Sequence, residues 1–192
     1  MKNKTGSKKQ ATHQRILEAA HSGFRQHGYE AAGVDGLAKE GNVTSGAFYA
    51  HFGSKAGAFR EAIHKGLGQV KEAVKILQDQ CGDNWLDQFS EFYLGEKRCD
   101  DLSNSCAMQS LTPEVARSDD QTRAIFQADM LDVVETFSKG LSEGGDKENS
   151  EQAWATISML IGGVTLARAV KDPALADDIA NSVQRAIKRL NS

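Results

Sequence analysis

The stretch from Val34 to Lys55, VDGLAKEGNVTSGAFYAHFGSK, constrains the fold of this chain more than any other. Val34, Leu37 and Ala38 recur at i, i+3 and i+4, which puts them on one face of a short helix. Gly41-Asn42 interrupts that helix, and Asn tolerates the left-handed conformation that a tight turn needs. Thr44 then offers a hydroxyl that caps a second helix by accepting from an orphan backbone N–H. In that second helix Phe48 and Phe52 lie four apart and face inward together. Ser45, Gly46, Tyr49 and His51 form the opposite face, with nothing evident to bury against. Two Phe pins beneath a small, polar outer face suit insertion into a DNA major groove.

Any two amphipathic helices around a glycine turn fit a generic helix-turn-helix, so the longer string carries the specificity. Val43-Thr44-Ser45-Gly46-Ala47-Phe48-Tyr49-Ala50-His51-Phe52-Gly53-Ser54-Lys55, with Phe59 beyond it, resembles the second half of the DNA-binding domain of TetR-family transcriptional regulators. Upstream, Ile16, Ala19, Ala20, Phe24, Gly28 and Tyr29 fit the first helix of that domain, and the resemblance spans roughly residues 12 to 65. Two positions depart from the family pattern. Gly33 stands where a capping, phosphate-touching Thr or Ser is common, and Asn42 stands where the turn commonly has Gly. The resemblance implies that Gly46 allows close approach to a base edge and that Tyr49, His51 and Lys55 contact phosphates. Thr44 and Ser45 lie at a helix N-terminus, where free N–H groups favour an anionic oxygen. With Ala47 these seven are the expected DNA-binding residues; the alternatives are that His51 packs on the turn and that Lys55 caps the next helix.

Charge and composition agree with a head-and-body layout. Residues 1–60 hold nine Lys/Arg against four Asp/Glu, and residues 61–192 hold fourteen against twenty-two. A basic N-terminal third on an acidic remainder suits a DNA-reading head on a body that does not bind DNA, although chance surface asymmetry also produces it. Cys81, Cys99 and Cys106 form no C-x-x-C pair and are odd in number, which favours reduced thiols in a cytoplasm. No apolar run is long enough to span a bilayer, and the lysine-rich N-terminus lacks a signal peptide's apolar core, so no membrane partner is expected. The five His lie in no H-x-x-x-H pattern and no phosphate-cradling glycine loop is present. No catalytic residue, metal or cofactor is therefore expected; the competing class is a non-enzymatic protein-protein adaptor with an incidental helix-turn-helix.

The chain reads as all-α: a flexible basic arm over residues 1–11 (Lys2, Lys4, Lys8 and Lys9), a helix-turn-helix domain over 12–55, and an effector-binding and dimerisation domain over 56–192. Helix 1 is expected from near Thr12. A linking helix runs from about Lys55 to Gln80 on the stripe Phe59, Ile63, Leu67, Val70, Val74 and Leu77, and is the natural lever between head and body. Gly57, Gly66 and Gly68 in it either localise bending or serve packing. Glu96 to Asn104 reads as a loop. Thr112, Ser150 and Asp172 read as caps, with Pro113 and Pro173 at first helical positions, and Gly144-Gly145-Asp146 as a break. Trp85, Phe89, Phe92, Tyr93, Cys106, Met108, Phe126, Met130 and Trp154 are the candidates for an apolar pocket holding an unknown small-molecule effector. Aromatics at helical spacing are also ordinary core. Cys106, just before a short helical run, resembles by position the sensing cysteine of electrophile-responsive members of the family; a buried structural thiol is the alternative. The last two helices carry more apolar surface than a small body covers. That surface suggests a homodimer through Ile157, Leu160, Ile161, Val164, Ile179, Val183 and Ile187, with Gly162 and Gly163 allowing close approach, and hence a palindromic operator.

Overall fold

The computed structural model of the chain describes residues 3–141 and 145–191, with side chains from Lys8 onward. Its helices run α1 (Asn3–Ala31), α2 (Val34–Glu40), α3 (Ser45–Phe52), α4 (Lys55–Cys81), α5 (Trp85–Leu94), α6 (Glu96–Cys99), α7 (Ala107–Ser110), α8 (Thr112–Val115), α9 (Asp120–Lys139), α10 (Asp146–Ala169) and α11 (Pro173–Leu190). No strand occurs among the described residues. Packing divides the chain into two compact units: Met1–Gly66 with Asp101–Phe126, and Leu67–Asp100 with Gln127–Ser192. The division thus falls at 66/67 within α4 rather than near 55, and residues 101–126 join the N-terminal helices.

Unit 1 is built on α1. The helix begins at Asn3 rather than near Thr12, so most of the segment expected as a flexible arm is helical; Met1 and Lys2 lie outside the described residues. The segment Lys8-Lys9-Gln10-Ala11 consists of good helix formers with no breaker before Thr12, so an established helix extends back through it. Gly28, at φ 77° and ψ 171°, breaks the run, a conformation open only to glycine. Ile16, Ala20 and Phe24 are fully buried. The Phe24 ring meets Phe59 of α4 edge-on at 5.1 Å, and Tyr29 packs on Phe59 at 4.8 Å. Hydrogen bonds tie segment 101–126 to α1: Arg25 Nη1 donates to Ser105 O (2.7 Å), and Ser103 N donates to Gln26 Oε1 (2.9 Å).

Several local expectations differ in this segment and beyond. Glu96–Cys99 and Leu102–Asn104 are single helical turns rather than loop. Thr112 is the first residue of α8, not its cap; its hydroxyl donates back to Met108 O (2.5 Å), so Leu111 occupies the cap without a side-chain bond. Ser150 lies inside α10, which starts at Asp146 behind Gly145, because two acidic residues in the first turn already favour that N-terminus. The expected break at Gly144 lies outside the described residues. Asp172 caps α11 as expected, accepting from Ala174 N (3.0 Å).

Unit 2 has an aromatic centre. Phe137 of α9 receives Trp85 and Phe89 of α5 edge-on at 5.3 and 5.4 Å, and Phe89 stacks on Tyr93 at 5.6 Å. Trp85 Nε1 donates to Gly140 O (2.8 Å), satisfying its one buried polar group. Of the nine pocket candidates, Trp85, Phe89, Tyr93 and Met130 are core of unit 2, while Phe92 and Trp154 stand on its surface. Cys106, Met108 and Phe126 belong to unit 1. The expected dimer set also divides. Ile157, Leu160, Val164 and Ile187 are buried within the single chain, and Ile161, Ile179 and Val183 are partly covered. The reason is visible at Gly163, where an added Cβ would lie 3.1 Å from both Leu94 and Val183: this glycine brings α10 against α5 and α11 of its own chain. Gly162 has nothing within 4 Å of such a Cβ. The exposed large apolar side chains of these helices are Trp154, Leu166 (60 % exposed), Leu175 and Leu190.

Two glycines of α4 serve packing. A Cβ at Gly57 would stand 2.1 Å from Phe52 O, and one at Gly66 would stand 2.2 Å from Ala107 Cβ; Gly68 faces open space. Gly57→Ala should therefore destabilise the protein by about 1–3 kcal/mol in chemical denaturation, because a backbone oxygen cannot step aside. Gly68→Ala should be neutral or stabilising by up to about 1 kcal/mol; equal effects at the two sites would contradict this packing.

His21, 1 % exposed, lies where α1 meets Gly66 and Ala107, and a Cβ at Gly66 would come within 2.9 Å of its Nε2. Burial, with the nearby charges of Arg25 and Lys65, lowers its pKa to about 3. Above pH ~6.5 the imidazole is neutral folded or unfolded. As pH falls from there toward about 3, only the unfolded chain takes the proton, and stability is lost. Relative to His21→Leu, the wild type should lose up to about 1.4 kcal/mol per pH unit across that window; parallel pH profiles for the two proteins would refute a neutral buried His21.

Candidate nucleic-acid interface

Two side chains fix how α3 lies. Phe48 is fully buried and Phe52 nearly so, with ring centroids 5.2 Å apart, and Phe52 meets the His13 ring of α1 at 4.8 Å. With the inward direction filled, Tyr49 turns outward and is 49 % exposed. The turn before α3 closes through Val43 N donating to Ala38 O (2.9 Å), with Asn42 at φ 52°, the left-handed value its side chain tolerates. Thr44 caps α3, its Oγ1 accepting from Ala47 N at 3.2 Å. Gly33 caps α2 with no side-chain bond, so the hydroxyl that the family pattern places there is missing.

The first turn of α3 has an open edge. A Cβ on Gly46 would find only Thr44 Oγ1, at 3.9 Å. Ser45 Oγ donates to Asp35 Oδ1 of α2 at 2.5 Å. Asp35 is a site residue that the sequence did not reveal. Its position two residues before Leu37 turns it away from that buried side chain, but a partner ten residues away across a turn has no periodic signature.

His51 and Lys55 are held differently. The His51 ring lies 5.5 Å from that of His13, whose Nε2 pairs with Glu61 Oε2 of α4 at 2.8 Å. Desolvation by its neighbours, then the proximity of His13 and Lys9, lowers the His51 pKa below its ordinary value. At neutral pH its ring is therefore an uncharged hydrogen-bonding group rather than a cation. Lys55 Nζ donates to Glu30 O (3.1 Å) and sits 4.6 Å over the Tyr29 ring, so its ammonium braces the end of α1. Thr44, Ser45, Gly46, Ala47 and Tyr49 thus share the first turns of α3, whereas His51 and Lys55 are engaged with α1. Beside His51, a surface cleft of about 390 Å³ is lined by Lys9, Gln10, His13, Gln14 and Ala50. Among the described residues, no group of three or more His, Cys, Asp or Glu is arranged to hold a metal, and no helix is long and apolar enough to cross a membrane.

Residues 16–62, which contain this arrangement, match the family model described as bacterial regulatory proteins, tetR family. Over 92 residues, 43 % of this chain, the sequence is 35 % identical to the HTH-type transcriptional repressor AcnR of Corynebacterium efficiens; the match spans about half (49 %) of that relative's length. The fold is shared along almost the whole chain. A TetR-family transcriptional regulator from Cytophaga hutchinsonii superposes with a TM-score of 0.75 at 21 % identity, covering 96 % of each chain. The reduced form of E. coli NemR superposes with a TM-score of 0.79 at 16 % identity, covering 95 % of this chain and 98 % of that one. The N-terminal head, residues 16–62, is thus similar to the tetR family of bacterial regulatory proteins, and the rest of the chain shares the fold of these solved structures.

Proposed function

We propose that the chain is a DNA-binding transcriptional repressor that acts as a homodimer on a palindromic operator and is released by a small-molecule effector. The observation that carries this reading is the geometry of α3: both Phe are consumed inward, and the open edge from Thr44 to Tyr49 is left for DNA. The excess of Lys and Arg in the first 60 residues favours the same partner. The dimer is supported by apolar surface that this chain leaves uncovered on α10 and α11, at Trp154, Leu166 and Leu175. Two heads related by a two-fold axis read half-sites about one helical turn apart. The effector belongs to the C-terminal part of the chain, where an apolar molecule would have to part the aromatic centre around Phe89 and Phe137.

Release through thiol modification at Cys106 is a second reading, favoured by the position of Cys106 next to Ser105, whose carbonyl accepts from the Arg25 guanidinium (2.7 Å). Cys106 is only 9 % exposed, so a reagent must first open the segment that Arg25 holds through Ser105 O. N-ethylmaleimide should release DNA from the wild type and not from Cys106→Ser; identical release from both would end this reading.

The DNA reading itself is tested by Tyr49→Ala. Fluorescence anisotropy on the chain's own upstream DNA should show affinity reduced by at least about fivefold, one lost contact being worth about 1–3 kcal/mol. The melting temperature should not change, since the ring lies half exposed. Unchanged affinity would remove Tyr49 from the interface.

A further inference from the structure

The hydrogen bond from Ser45 to Asp35 fixes more than the position of α3. A serine hydroxyl carries one hydrogen and two acceptor lone pairs, while a carboxylate only accepts. Because Ser45 Oγ donates that hydrogen to Asp35 Oδ1 at 2.5 Å, the hydroxyl has nothing left to donate. Ser45 is the first residue of α3, and the neighbouring hydroxyl of Thr44 is occupied in accepting from Ala47 N. Asp35, exposed on the first turn of α2, is itself an acceptor beside the same edge. The N-terminal edge of the recognition helix therefore presents a pair of acceptors, Ser45 and Asp35.

In the major groove the bases divide on this property. Adenine and cytosine offer exocyclic amino donors, at N6 and N4, whereas guanine and thymine offer acceptors. We infer that Asp35 is a specificity-determining residue: by holding the Ser45 hydroxyl as an acceptor, it makes each head prefer an amino base, adenine or cytosine, over a keto base at the operator position that Ser45 faces. Asp35 acts through Ser45 as a positioning residue, and its negative charge near the phosphates lowers affinity for every sequence alike. The ratio between bases therefore reports the effect, and bare affinity does not. This inference rests on the reading of α3 as the DNA-reading helix.

The experiment is selection from a randomised duplex library with the full-length wild type, Asp35→Asn and Ser45→Ala, followed by titration of duplexes changed at single positions. The wild type should prefer an amino base about tenfold at one base pair of each half-site, the discrimination expected of a groove hydrogen bond. Both variants should lose that preference at that pair and keep the preferences elsewhere. Asp35→Asn should lose it because an amide can donate to Ser45 and free its hydrogen to point at DNA. If the wild type selects a sequence and either variant keeps the full set of preferences, the inference fails while the DNA reading stands. A keto preference at the affected pair would equally overturn it. If the wild type selects no sequence, the DNA reading fails and takes the inference with it.

Discussion

The burial of Phe48 and Phe52 is the constraint on which the N-terminal unit depends. An eight-residue helix is too short to persist in water on its own backbone hydrogen bonds. It exists because two aromatic side chains, one helical turn apart, tie it to the unit's core, Phe52 meeting the His13 ring of α1. Once that face is spent, the orientation of the opposite face is no longer free. Tyr49 must point outward, and the Thr44–Gly46 edge must stay open. A helix that lost either Phe would roll or unravel, and no outward side chain could then hold its register.

Secondary contacts around α3 refine that placement. The Gly57 backbone sits directly against Phe52 O, so α3 and α4 meet at a corner that admits no Cβ. Lys55 braces Tyr29 and the Glu30 carbonyl, and His13 joins the Phe52 ring to Glu61. Arg25 and Gln26 fasten the 101–126 segment to α1 within the same unit. The unit that carries the candidate interface is therefore larger than the three-helix motif, and chemistry at residues 101–126 bears on the packing of the head itself.

The sequence made the core of this arrangement legible because its signals are short-range. The Phe pair at i, i+4, the Thr44 cap, the left-handed Asn42 and the Asp172-Pro173 start all act within one helical turn, and the structure places each as that local rule requires. What escaped reading was long-range or competitive. The bond from Ser45 to Asp35 crosses a turn with no period. Thr112 found the Met108 carbonyl before it could cap. The apolar stripes of α10 and α11 could not be divided into inner and outer faces from one sequence. Ile157, Leu160, Val164 and Ile187 were claimed by the chain's own core, and Trp154, Leu166 and Leu175 were left outside.

The central claim, that this head reads DNA from a paired assembly, is met most directly by footprinting combined with sedimentation of the protein–DNA complex over a range of salt. The account predicts two chains per duplex, protection of two half-sites about one helical turn apart on one face, and affinity that falls steeply as salt rises. Salt-independent binding, or protection of a single half-site by one chain, would contradict it.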